Sequence, residues 1–469
     1  MVFVADLFDT LELVKRLDGG SDVSLADLRD WIKIPDGWTQ SSSVDGKPVD
    51  EVLTLNIDET SIDDLASTIQ EIDSRIEDIR RARSTIEPFG VWLRAQLHGE
   101  TYARQSYVLS GKRSNQIRVS SPAMLSNTLM QYTLGLTRMA AWEDNEPLTI
   151  VAGTAGSVSA HGGKIAYSIP GDLNARIALT KIIPSDGAST FDEFWIGVKS
   201  ELYGGVTPSN FVSFWGFDKR GNTGVTGDDT SASSDATAVS GVNLATTFSA
   251  APGLAYRIVV PANLVTANVN DQRGRYVVLL RCKSSNSSLV VNVRAGSGYN
   301  YPGALYSFSH GELLQLSNFA TGWNYYALGE FDLPPISGVY DLDMHYAAIA
   351  LEAEKVSGSG NLIMDGFLLI PAEHFIHIET ATLMANSFPH RLYIVTTPDL
   401  HYRSTLSLTI SGNEHILEQD PIDQINWSLP PGAGAIVCGA SSANSLLANL
   451  LTPIFEIYPS YATLRGASA

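Results

Sequence analysis

Between about Lys164 and Ala372 the chain runs through one short apolar segment after another, each closed by turn residues, with no helical spacer between them. KIAYSIP, ARIALTKIIP, EFWIGVK, FVSFWGF, YRIVVP, RYVVLLRCK, LVVNVRA, YYALGEFDLP, HYAAIALEAE and NLIMDGFLLIP follow in that order. Apolar runs of strand length that recur at turn-punctuated spacing build antiparallel sandwiches, because each must bury a face against another sheet. The pattern predicts a mainly β protein whose middle section, 164–372, is a jelly-roll sandwich. Within it, RGNTGVTGDDTSASSDATAVSG at 220–241 is too polar and too small to bury a face and reads as a long surface loop.

The flanks divide differently. Thr60 to Arg83 places Ile62, Leu65, Ile69, Ile72, Ile76 and Ile79 three and four residues apart, one apolar stripe on an amphipathic helix. Ser61, Asp63 and Asp64 suit its positive end; Arg80, Arg81 and Arg83 suit its negative end. Such a stripe caps a sheet or meets a second subunit. Before the helix, residues 51–57 alternate as a half-buried strand with Val52, Leu53, Leu55 and Ile57 enriched on one face. After it, Val91, Leu93, Ala95 and Leu97 alternate, as do Tyr132, Leu134 and Leu136. Residues 1–150 therefore read as strands around one helix. Small residues at 149–164 break the periodicity and mark a boundary, and the section 375–469 repeats the strand pattern as a third, C-terminal β-sandwich.

Composition narrows the function. Lys and Arg total 31 against 50 Asp and Glu, a formal charge of −19, which argues against a nucleic-acid-binding surface. The first residues, MVFVADLFDTLELVKRL, lack the basic leader of a secretory signal, and no stretch approaches the apolar length of a membrane helix. The expectation is a chain made in a cytoplasm without membrane insertion. Cys282 and Cys438 are far apart in sequence and read as two buried small side chains rather than a disulfide or metal clip.

No dinucleotide, Walker, HExxH or GxSxG motif is present. His374 and His377 read as strand histidines rather than metal ligands. Asp341 and Asp343, with Asp332 and Asp365 nearby in sequence, are the candidates for a structural Ca²⁺, although no EF-hand spacing accompanies them. No other cofactor is expected. Trp195 and Trp215 lie in apolar strands and read as core. Tyr299, Tyr301, Trp323 and Tyr325 lie in segments that read as loop or loop edge, where an aromatic face with a polar handle suits a sugar ring.

Taken together, DEVLTLNI leading into TSIDDLASTIQEIDSRIEDIRRA, then VWLRAQLHGETYARQSYVLSG and LGLTRMAAWE, resemble the N-terminal half of the large distal-tail-type tail-tip proteins of long-tailed bacteriophages. The middle phrases GRYVVLLRCKSSNSSLVVNVRAG, WNYYALGEFDLPP and LIMDGFLLIPAEH resemble the carbohydrate-binding-module-like jelly rolls inserted in larger members. INWSLPPGAGAIVC and FEIYPSYATLRG resemble the sandwich that follows. The resemblance implies a homo-oligomeric ring, usually a hexamer, in the virion tail tip. Its partners there are the tail tube and the hub or fibre proteins, and it is not an enzyme. It also implies that an inserted domain can meet host-surface glycan. Two alternatives stand beside it: a receptor-binding tail protein gripping saccharide through the middle domain, and a glycan hydrolase with an accessory module. Ile62, Leu65, Ile69, Ile72, Ile76 and Ile79 are the expected subunit contacts.

Overall fold

The computed structural model describes residues 8–16, 22–28, 47–58, 60–84, 91–113, 124–126, 129–151, 163–184, 193–200, 211–213, 229–238, 241–248, 274–301, 304–310, 313–317, 319, 322–333, 346–379, 391–396, 404–410, 413–416, 422–425, 428–441, 451–462 and 464. They are mainly antiparallel strands with one helix, Ile62–Ser84. The helix starts where its chemistry dictates. The Asp64 amide donates to Ser61 Oγ at 3.1 Å, and the Ser61 and Thr60 hydroxyls both donate to the Asp64 carboxylate. Those two hydroxyls lower the Asp64 pKa.

Leu65 packs into the amino-terminal core with Leu11, Leu13, Leu53, Ile57, Leu93, Leu134, Leu136 and Trp142, and Ile69 packs against the same core. Ile62, read as part of the same stripe, is 56% exposed. Ile72, Ile76 and Ile79 lie on the helical backbone, and their side chains fall outside the described residues. Val49–Asp58 pairs along its whole length with Leu129–Arg138. Its inward face carries Glu51, Leu53 and Ile57, so Val52, expected with them, points the other way and is 58% exposed. The cause is the two-residue period of a strand, which puts 51, 53 and 57 on one side and 52 on the other.

The chain beyond residue 163 is partitioned differently from the sequence expectation. Gly163–Ile169 and Glu193–Ser200, expected in the middle unit, pair with Gly432–Ser441, and His374–Glu379 and Ile422–Ile425 complete a five-stranded junction sheet. Leu173–Pro184 likewise leaves the middle section and lies between Leu451–Tyr461 and Arg391–Thr396. What sits between residues 200 and 374 is therefore an insertion. It comprises a central sheet of Asp229–Ser234, Val242–Thr247, Leu362–Pro371, Gly274–Ser284 and Asn324–Leu333, joined by Phe211–Ser213. A distal sheet follows, made of Ala304–His310, Val290–Tyr301, Leu314–Leu316 and Tyr346–Ser357.

The three sheets stack. Tyr276, Val278, Leu280, Cys282, Phe367 and Leu369 of the central sheet share one core with Val291, Val293, Leu351 and Ala353 of the distal sheet. The alternate residues Val277, Leu279, Leu368 and Ile370 share another with Trp195, Phe375 and Val437 of the junction sheet. Burial on both faces is why YVVLL and FLLIP are unbroken apolar runs rather than alternating ones.

Candidate functional site

The predicted saccharide residues do not form one exposed platform. Trp323 stands just before Asn324–Leu333 and Tyr325 near its start, but they are only 8% and 3% exposed, which corrects the exposure expected of them. Tyr325 stands opposite Arg281 within the central sheet, and burial pushes its phenol pKa up. The Trp323 ring is already occupied by its own chain: Lys283 Nζ lies 4.1 Å and Arg281 Cζ 4.8 Å from its centroid. Tyr299 and Tyr301 lie at the far end of Val290–Tyr301, beside the hairpin to Ala304–His310.

Asp341 and Asp343 fall outside the described residues. The acids expected near them are separated: Asp332 pairs with Arg275 at one end of Gly274–Ser284, whereas Asp365 sits near the other end. Among the described residues no group of three or more His, Cys, Asp and Glu is placed to hold a metal. His377 stacks on Trp195, 5.3 Å between centroids, with Nε2 3.1 Å from Glu193 Oε2; His374 Nδ1 meets Ser428 Oγ at 3.2 Å. Trp195 is core, as expected; Trp215 falls outside the described residues. Cys282 and Cys438 are free and buried, and burial pushes both thiols up.

Around Trp323 lies a polar cluster that sequence reading missed. Part of the supposed 220–241 loop is a strand, Asp229–Ser234, paired residue by residue with Val242–Thr247. The turn between them carries Asp235, which receives Lys283 Nζ at 2.7 Å, the Thr237 amide at 2.9 Å, the Thr237 hydroxyl at 2.5 Å and Asn243 Nδ2 at 3.1 Å. Burial by itself raises this carboxyl pKa, but the hydrogen bonds from Lys283, Thr237 and Asn243 outweigh it and hold it well below the usual carboxylate range. Thr237 also accepts the Trp323 indole N–H at 2.8 Å and, through its carbonyl, Arg281 Nη2 at 3.3 Å.

Arg281 is ion-paired with Asp365 in the buried interior. The register explains how. Arg281 faces Gly366 and Cys282 faces Met364, so Asp365 is the extra residue of a β-bulge, and the bulge redirects its side chain toward Arg281. The available signal was a lone charge inside each apolar run, Arg281 in VVLLRC and Asp365 in LIMDGFLLIP; a charge in a buried strand requires a partner. The hydrogen bonds named here all run within the chain, so the cluster fastens a turn to a sheet.

The other concentrated polar site joins the two ends of the chain. Leu451–Tyr461 pairs on one edge with Leu173–Pro184 and on the other with Leu148–Val151 and Trp142–Asp144. Arg176 forks onto Glu143 at 2.7 and 2.8 Å, with its guanidinium 4.7 Å from the Tyr458 ring centroid. The Tyr461 hydroxyl donates to Asp144 at 3.2 Å, and Arg104 lies 3.6 Å from the Tyr461 centroid while donating to the Leu464 carbonyl at 2.6 Å. Burial raises the Asp144 pKa against the opposing pull of Tyr461 and Arg104. Glu51 and Arg138 form a further fully buried pair nearby in the same unit, Nη2 to Oε1 2.5 Å.

Comparison with known proteins adds little to this geometry. No protein-family model matches the chain, and no curated protein matches it. Among solved structures it is similar to the N-terminal CBM22-1–CBM22-2 tandem domain of Paenibacillus barcinonensis Xyn10C, at 10% identity over 55% of this chain and 97% of that one, TM-score 0.21. It is also similar to a Paenibacillus xanthan lyase, at 11% identity over 89% of this chain and 52% of that one, TM-score 0.21. Neither likeness is close enough to carry an assignment.

Proposed function

We propose that this chain is a structural subunit of a bacteriophage tail tip, a ring-forming distal-tail-type protein that links the tail tube to the host-recognition apparatus and catalyses nothing. The observation that carries the reading is the arrangement of the sheets. Strands from residues 8–151, 173–184, 391–416 and 451–461 belong to one continuous sheet, and the central and distal sheets are inserted within it between residues 200 and 374. A base whose strands come from both sides of an inserted module suits a subunit that builds a ring with its base and displays its insertion. The order of segments that resembles the phage family supports the same reading.

Val49–Asp58, paired on one side with Leu129–Arg138 and carrying the exposed Val52, and the exposed Ile62 at the helix start are where neighbouring subunits meet in this proposal. The buried acids Glu51, Glu143 and Asp365 each sit in an ion pair with an arginine, a structural use of a carboxylate that fits a subunit without chemistry.

Light scattering across a concentration series, with electron microscopy of the same samples, tests the proposal. The expected result is a closed multiple of 50.6 kDa with an open lumen, and a Val52→Glu, Ile62→Glu double variant that falls to monomer without losing thermal stability. A chain that stays monomeric at every concentration and shows no rings sinks it.

A further inference from the structure

The segment 451–464 does more for the amino-terminal unit than border it. Tyr461 and Leu464 are buried members of the same core as Leu11, Leu53, Leu93, Leu134 and Trp142, although more than 300 positions separate them in the chain. The backbone of the segment is held as firmly as its side chains. Arg104 binds the Leu464 carbonyl, Asp172 accepts the Ala462 amide at 2.7 Å, and the Asp172 amide donates to the Ser460 carbonyl at 3.2 Å. Gly171 has φ +119°, and a Cβ there collides with the Ser460 carbonyl, so the adjoining turn is shaped to the passing strand.

We infer that the amino-terminal unit contains a strand-docking surface whose occupant is the chain's own segment 451–464, and that the unit is completed only when this segment docks. The physical reason is what its absence exposes. Trp142–Asp144 and Leu148–Val151 lose their partner along that edge, Arg104 loses its acceptor, and the core around Trp142 opens where Tyr461 and Leu464 had sealed it. Since Tyr461 and Leu464 seal the core of the amino-terminal unit, subunit contacts offered by that unit form only on chains in which the segment has docked. That consequence rests on the ring reading; the docking itself does not.

The test uses the full chain with a protease-cleavage sequence inserted between Ser441 and Leu451. After native cleavage the segment is expected to remain bound. Denaturation, removal of the segment and refolding are expected to abolish hydrogen-exchange protection at 91–97 and 134–138 while the central sheet at 277–281 stays protected. A synthetic peptide spanning 449–469 is expected to restore it. Retained protection at 91–97 and 134–138 without the segment, or failure of the peptide to restore it, overturns the inference. The oligomeric mass of the same samples reports on the ring separately: a monomer with peptide-dependent protection upholds the docking and rejects the ring.

Discussion

The Glu51–Arg138 pair shows what a buried charge demands of its neighbours. Both side chains are fully buried, and the arginine also donates to the Met139 and Ala140 carbonyls. Burial pulls the Arg138 pKa down while Glu51 holds it up. Removing one partner leaves the other charged in a core, which costs about 3–5 kcal/mol. Glu51→Gln is therefore expected to lower the thermal midpoint sharply, whereas Glu51→Leu with Arg138→Met recovers much of the loss; equal midpoints for Glu51→Gln and wild type would refute this account.

Asp235 sets a pH dependence of definite sign. Its folded pKa is depressed relative to an unfolded Asp near about 3.9, so its contribution is full above about pH 4 and declines as the pH falls toward the folded value. Urea unfolding at pH 7 and pH 3 checks it: Asp235→Asn is expected to be the less stable protein at pH 7, with the gap narrowing at pH 3. A gap independent of pH removes the charge from the explanation. Of these residues, none announced its role in sequence. Asp235 sits in a polar run with no periodicity, and its partner Lys283 is 48 positions away.

At the scale of elements, the long helix was legible because its stripe and its cap are both local, and it spans Ile62–Ser84 against an expected 60–83. The strand Glu193–Ser200 was legible as a strand but not as a member of the junction sheet. Its packing depends on glycines. A Cβ on Gly197 collides with the Pro371 carbonyl, and one on Gly439 lies 2.8 Å from Leu368 Cδ2 and 3.1 Å from Leu279 Cδ1. The two glycines lie on neighbouring strands and let the central sheet approach. Gly197→Ala is expected to destabilise by about 1–3 kcal/mol as an overpacking change, read as a lower denaturation midpoint; an unchanged midpoint means the sheets are not in close contact there. The 220–241 segment was misread for a related reason. Residues 229–234 form an edge strand defined by its backbone pairing to Val242–Thr247, which no side-chain pattern announces.

For the whole molecule, the stacked sheets tie the insertion to its base. Trp195 belongs to the junction sheet and Leu279 to the inserted central sheet, yet both line one core. A double-mutant cycle of Trp195→Ala and Leu279→Ala is expected to show a coupling of about 0.5–3 kcal/mol, measured by denaturant unfolding. Strict additivity would mean that insertion and base are energetically independent.

The sequence by itself determined the β class, the one helix and its cap, and the burial of Trp195, Cys282 and Cys438. Each of these is written in local spacing or in the continuity of apolar side chains. Tertiary structure alone decided that Gly163–Ser200 leaves the middle section for the C-terminal strands, that Trp323 is capped by its own chain, and that Leu451–Tyr461 closes the amino-terminal unit. Those outcomes depend on which strand edges meet, and the backbone hydrogen bonds that join them are the same for every residue type. Periodicity tells a strand which face to bury; the partner at its edge is settled only when all the strands compete for it at once.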